Sequence, residues 1–319
     1  MVSRACLRVA SLRCLVVRLR RRVCRTEMAR SGAVARNNGS SLDMIDTLDG
    51  DTPTGVQLLA KSVDELRGAL DRLEACAATT RPHFRNIVAV DLNFGCPSPD
   101  VIRNGSGPAM LKRRGRLAEL FEALVKWKLE CGLDVRAVGV KIRLGLNRTE
   151  AEAKVYLPLV DAANAAGLDY LVVHARHAGQ RSRDAPAWEA IAEVKARAAM
   201  PVIGNGNVFS AADAVEMRRQ TGCDGVMLAR AAIRNPWVFR DFLPGAAPPP
   251  DAAWDGGRSW PTLAEVDAAA AAYAAAAQRA NTKSKFVAFH ERNFERLRRV
   301  AATGDRSLAV DSPATIHLT

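Results

Sequence analysis

Six short β-branched runs, each closing on polar or glycine residues, recur along this chain with longer amphipathic stretches between them. The runs are Gly55–Leu58, Ile87–Asn93, Val138–Arg143, Tyr170–His174, Pro201–Asn205 and Gly225–Leu228. The stretches between include Ser62–Ala75, Leu117–Leu129, Glu150–Ala166 and Ser210–Gln220, where apolar residues follow a helical period. Strands that are apolar nearly throughout and alternate with helices make an α/β fold with a parallel sheet buried on both faces. With an earlier strand near Cys24–Met28, the series fits a (β/α)8 TIM-type barrel better than an open doubly wound sheet. No Gly-x-Gly-x-x-Gly opens a helix after the first strand, which weakens the dinucleotide-fold alternative.

The ends of the chain differ from this middle. Eight arginines precede the first acidic residue, Glu27, and seven basic residues from Arg279 to Arg299 face only Glu291 and Glu295. Most of the net charge of +12 therefore sits at the two ends. Residues 1–25, rich in Arg, Val, Leu and Cys, read either as a mitochondrial presequence or as part of a basic domain. A cytoplasmic location is the expectation, with a mitochondrial one as the alternative. No apolar run reaches the length of a membrane span. The seven cysteines lack CxxC pairs and metal-ligand spacing, so neither a disulfide framework nor a metal site is expected. Proline and glycine crowd the segment Pro244–Pro261, and Thr262-Leu263-Ala264-Glu265 beyond it is a capping box that opens an Ala-rich helix. A second helix is expected from Lys285 to about Ala301. On it Lys285, Arg292, Arg296 and Arg299 fall within about 60° of one another, apart from the apolar sector. The expected division is a divergent basic segment over 1–25, a barrel over 26–243, a linker over 244–261 and a small helical unit over 262–319.

Chemistry concentrates where strands end. In Asn93-Phe94-Gly95-Cys96-Pro97-Ser98 a cysteine lies on a tight turn just past a strand, where it serves as a nucleophile or proton donor, or else as a small buried hydrophobe. Lys141, near the end of its strand, needs an anionic partner: a ligand, or an acid inside the barrel. His174 and Arg176 close the next strand. Asn205-Gly206-Asn207 and Ala229-Arg230 follow the last two strands, the usual phosphate position of such barrels; turn formation alone also accounts for an Asn-Gly pair. Gln57 puts an amide in an apolar run and requires a hydrogen-bond partner.

These motifs, with the Gly-rich turn Asn104–Leu111, stand in the order and spacing of the tRNA-dihydrouridine synthases, and the chain resembles that family from about Thr26 to Phe239. The resemblance implies an FMN-dependent barrel with a C-terminal helical domain, reducing uridine to 5,6-dihydrouridine in tRNA with NADPH. It implies Cys96 as the acid that protonates C5, and Gln57, Lys141, His174, Asn205, Gly206, Asn207, Ala229 and Arg230 as cofactor contacts. Substrate contacts implied by the resemblance and by the basic helix are Asn93, Arg176, Lys285, Arg292, Arg296 and Arg299. Three features depart from the family. Its first barrel strand, with a Pro-Met pair, finds no counterpart before Thr26, so that strand is expected to be missing or poorly replaced by residues 1–25. Ser182 and Asp184 replace an aromatic and a glycine, and Ala229-Arg230 stands for Gly-Arg. The helical domain is expected to end early, as a truncated one. Two other readings remain: a non-catalytic tRNA-binding relative, and an FMN barrel acting on a free pyrimidine, such as a dihydroorotate dehydrogenase. The basic helix beyond the linker speaks against the second.

Overall fold

The computed structural model describes residues 14–18, 21–46, 53–242, 260–279 and 284–305. Among these, eight strands close into a barrel: β1 (Cys14–Arg18), β2 (Arg21–Arg30), β3 (Thr54–Leu59), β4 (Ile87–Phe94), β5 (Ala137–Arg143), β6 (Tyr170–His174), β7 (Val202–Asn205) and β8 (Gly225–Leu228). The seven from β2 to β8 run parallel in sequence order. Helices on the outside are α1 (Ser31–Ala35), α2 (Gly39–Ile45), α3 (Val63–Ala78), α4 (Pro99–Arg103), α5 (Arg114–Glu130), α6 (Arg148–Glu152), α7 (Leu157–Ala166), α8 (Trp188–Arg197), α9 (Ala211–Thr221) and α10 (Arg230–Arg234). Beyond the barrel come α11 (Leu263–Arg279) and α12 (Ser284–Thr303).

Of the two expectations for the first strand, missing or poorly replaced by residues 1–25, the structure shows a divergent replacement. β1 occupies the gap between β8 and β2, antiparallel to both, with Cys14 opposite Arg25 and Leu15 opposite Leu228. The direction follows from chain length: only residues 19 and 20 separate β1 from β2, and a parallel pairing needs a crossover of roughly a dozen residues. The barrel therefore closes, but on a strand whose C-terminal end points away from the mouth. The Pro-Met pair expected by resemblance has no counterpart there. β2 begins at Arg21, so the expected boundary at residue 25 falls inside a strand.

All six residues of β3 are buried, as a strand covered on both faces requires. Val56, Val90, Val140 and Leu171 point outward into the main core with Leu66, Leu70, Phe121 and Ile191 from the helices. Val172, Ile203 and Met227 make a separate small cluster, flanked by Tyr170. Helix starts are fixed locally. Ser62 accepts the Glu65 N–H at 3.3 Å, and Ser210 with Asp213 forms a complete capping box on α9. The stretch Glu150–Ala166, expected as one helix, is two: Lys154, with a left-handed φ of 53°, lies between α6 and α7.

Thr262 and Glu265 form the expected capping box at the start of α11. This helix packs on α12 through Val266, Ala269, Tyr273, Phe294 and Leu297, and Trp237 from the segment after β8 joins the same cluster. Arg240 pairs with Glu265, and Asn293 donates to the Ile233 carbonyl at 2.7 Å. Residues 243–259, most of the expected linker, lie outside the described residues.

Candidate active site

Every chemistry-bearing turn singled out above lies at the C-terminal end of the parallel strands, the end where barrels of this kind keep their sites. Two regions meet there, one around Cys96 and one ringed by arginines.

The first is built on β4. Asn93, at the end of this strand, turns its side-chain oxygen back to accept the N–H groups of Gly95 and Cys96 at 2.9 and 2.8 Å. That local ring holds the turn and presents Cys96, a free and half-buried thiol. Gly107, with φ of +61°, packs against it: a Cβ there would lie 3.1 Å from the Cys96 carbonyl oxygen and 2.8 Å from Val101. The Gly-rich turn is thus a backing wall for the cysteine, and a side chain at 107 would be both strained and crowded. Asn93 Nδ2 donates to Gln57 Oε1 at 2.7 Å, and Gln57 Nε2 donates to Asp91 at 2.6 Å. Lys141 lies beside Asn93 in the β4–β5 register and is half-buried.

The second region is a partly open cleft lined by Arg143, His174, Arg176, the turn Asn205–Phe209 and Arg230 among others. Asn207, in the left-handed region at φ 55°, accepts from both Arg176 and Arg230 at 2.8 Å. Asn205 donates to the Met227 carbonyl at 2.8 Å, tying β7 to β8. Gly206 has φ of +132°, and a Cβ on it would meet Pro186 at 3.1 Å. Ala229 caps α10, and Arg230 stacks over Phe209 at 4.9 Å. Among the described residues no carboxylate lines this cleft.

The electrostatics reflect that composition. Burial and the neighbouring Arg176 bring Arg143 down to about 10, despite an opposing effect from Cys96. Arg176 is likewise brought to about 10 by burial and by Arg230, against the pull of Asp184. Arg230 is lowered by burial and Arg234. His174 is held well below its ordinary value by burial and by the charges of Arg143, Lys141, Arg176 and Arg230, so it is neutral at pH 7. Positive charge accumulated in a partly desolvated cleft is relieved by an anion, and the backbone approach that Gly206 permits suits a phosphate.

Some residues take parts other than those expected of them. Arg176, expected toward the substrate, is 1% exposed and donates to the Ser182 and Asp184 carbonyls, so it braces its own loop and lines the cleft floor. In the cationic stripe, Arg296 turns toward the barrel and donates to the Arg234 carbonyl at 3.2 Å and to Asn293. Helical spacing alone could not reveal this, because the acceptor belongs to α10. Arg292 and Arg299 are exposed, the latter 3.6 Å from Glu295, and the Lys285 side chain lies outside the described residues. Arg143, the last residue of β5 and absent from the expected site residues, joins the two regions, donating to the Gly95 carbonyl at 2.9 Å while lining the cleft.

With the thiol turn and the arginine cleft at one mouth, the comparison with known proteins is decisive. A dihydrouridine synthase family model matches residues 9–298. The chain belongs to the dihydrouridine synthase family. Among its relatives, a probable tRNA-dihydrouridine synthase of Aquifex aeolicus is 33% identical over 70% of this chain and 67% of its own. A probable tRNA-dihydrouridine synthase of Mycobacterium tuberculosis is 32% identical over 67% of this chain and 54% of its own. A tRNA-dihydrouridine(16) synthase of Cupriavidus necator is 34% identical over 64% of this chain and 58% of its own. This dihydrouridine synthase family member thus spans between about half and two thirds of the length of these relatives. Among its described residues no helix is long and apolar enough to cross a membrane.

Proposed function

We propose that this chain is a tRNA-dihydrouridine synthase that reduces the C5=C6 bond of uridine in tRNA with FMN and NADPH. The observation that carries the reading is the pairing, at one barrel mouth, of a turn-held thiol with an arginine-lined cleft linked to it by Arg143. The donor set fits FMN: Arg143, Arg176, Arg230 and the Asn205-Gly206-Asn207 turn suit its phosphate, and Gln57 and Lys141, on β3 and β5, suit its ring. Gln57 spends one amide hydrogen on Asp91 and one lone pair on Asn93, leaving one of each for a ligand. FMN, when bound, supplies the hydride for C6.

The rest falls to the chain's own side chains. Addition of hydride to C6 of a conjugated carbonyl places carbanion character at C5, which must be protonated as it forms. Cys96 is the proton donor in this reading, and Asn93 fixes its distance from the substrate through the turn. The arginine cleft binds and orients, and neutral His174 adds no further positive charge to it. Purified protein is expected to show flavin absorbance, or to acquire it with added FMN, and to form dihydrouridine in unmodified tRNA with NADPH. A protein that binds tRNA but takes up no flavin is the non-catalytic relative, and one that reduces free pyrimidines but leaves tRNA unchanged overturns the substrate.

The uridine has to leave its stack to enter the mouth, at a cost of a few kcal/mol, so the surrounding RNA must be gripped by its backbone. The exposed Arg292 and Arg299 are the described members of the stripe placed to do this. Replacing both with Gln is expected to lower the slope of log affinity against log salt by about 0.7 to 0.9 for each phosphate that is no longer neutralised. Arg296→Gln is expected instead to loosen α12 from α10, seen as a lower melting temperature. A double variant with wild-type affinity and salt slope would place the RNA elsewhere.

A further inference from the structure

Barrel interiors are ordinarily filled by branched apolar side chains in layers. This one carries an ion pair. Asp91, fully buried on β4, pairs with Arg25 of β2, itself 4% exposed, whose other terminal nitrogen lies 3.9 Å from Met227 Sδ. Gln57, Asp91, Gly139 and Tyr170 occupy one register line across β3, β4, β5 and β6. Gly139 leaves room for a neighbour: a Cβ there would lie 2.6 Å from the Tyr170 ring, and across that gap the Tyr170 hydroxyl donates to Asp91 at 3.1 Å. A glutamine, a tyrosine and an arginine thus converge on one carboxylate.

We propose that Asp91 is a positioning residue that sets the direction of a hydrogen-bond relay ending at the Cys96 turn. A side-chain amide has a donor end and an acceptor end and fits its site either way round, whereas a carboxylate only accepts. With Asp91 at its head, Gln57 must turn Nε2 toward the carboxylate. Its Oε1 then faces Asn93, which must turn Nδ2 toward Gln57 and Oδ1 toward the Gly95 and Cys96 N–H groups. If either amide flips, two donors or two acceptors meet and the turn loses its anchor. Arg25 and Tyr170 satisfy the remaining carboxylate valences, so Asp91 is not left as an uncompensated buried charge. This inference rests on reading Cys96 as the reactive residue. Its test reads the backbone of the turn, so it fails or succeeds whether or not the thiol proves to be the acid.

The experiment is amide hydrogen exchange on the full chain. Asp91→Asn gives the relay a head that can donate as well as accept, and is expected to speed exchange at Gly95 and Cys96 by about tenfold, the value of one net hydrogen bond. Adding Gln57→Glu moves the acceptor-only group one step along the relay. The carboxylate then at position 57 accepts from the amides at positions 91 and 93, and exchange at the turn is expected to return to within about twofold of wild type by the same measure. A purely structural role for Asp91 predicts no such rescue. Unchanged exchange in Asp91→Asn, or a double variant that melts like wild type yet leaves the turn loose, overturns the proposal. Should Asp91→Asn fail to fold, the side-chain amide protons of Gln57 and Asn93 in the wild-type protein decide: slow exchange of one proton on each supports the relay, and rapid exchange on either refutes it.

Discussion

Cys96→Ala is expected to retain FMN and to accept electrons from NADPH at the wild-type rate, while dihydrouridine formation in tRNA falls by roughly 10²- to 10⁴-fold, the usual value of a lost general acid. The separation follows from the geometry. Cys96 stands on the β4 turn, and it is absent from the lining of the arginine cleft. Removing its side chain takes away the proposed proton donor and leaves the Arg143, Arg176 and Arg230 side chains in place, although the effect of Cys96 on Arg143 is lost with it. The turn survives too, because Asn93 holds the backbone N–H of residue 96 and has no need of the thiol. Flavin reduction followed by stopped-flow absorbance, and dihydrouridine quantified in the tRNA product, check the two halves separately. Near wild-type dihydrouridine formation would return Cys96 to the role of a packed, half-buried hydrophobe. Loss of flavin would mean that the turn supports the cofactor. Cys96→Ser, with a far weaker acid on the same turn, is expected to sit between alanine and wild type.

The parallel strands were legible because burial on both faces writes each as a short apolar run that stops where polar chemistry begins, as in Leu92-Asn93 and Ile142-Arg143. The turn motifs were legible for a related reason: a glycine at 206 and an asparagine at 93 that accepts the N–H groups of residues 95 and 96 are demands of backbone geometry, which local sequence records. What stayed hidden were pairings between distant residues. β1 is five residues long and sits in an arginine-rich stretch, and its pairing direction follows from its two-residue link to β2. The Arg25–Asp91 pair joins two strands with β3 between them, and nothing near either residue announces the other. Arg296 has the spacing of an RNA-facing cation and is taken by the end of α10. The double role of Arg143 emerges only once β4 and β5 are in register, because that register sets its guanidinium beside the Gly95 carbonyl.

Arg230→Leu is expected to weaken FMN by roughly 10- to 100-fold, the value of one charge-assisted contact to a phosphate in a partly buried site. Arg230→Lys should recover part of this, since it keeps the charge but loses the planar fork and the stack on Phe209. Inorganic phosphate offers an independent readout through His174. The imidazole is held neutral by burial and by four surrounding cations, so its titration midpoint in the free protein should lie well below the ordinary histidine value. Bound phosphate offsets those cations and should move the midpoint upward; Arg230→Leu removes one of them and should shift it upward even without phosphate. The sign for stability follows. The unfolded chain takes up this proton as pH falls through about 6.5, whereas the fold does not until lower pH, so stability is lost across that window as the solution is acidified. Phosphate, by raising the folded-state midpoint, should narrow the window and reduce the loss. Imidazole titration by NMR with and without phosphate checks both shifts. An ordinary midpoint in the free protein, unmoved by phosphate, would mean that the cleft is already neutralised and that the FMN phosphate is held somewhere else.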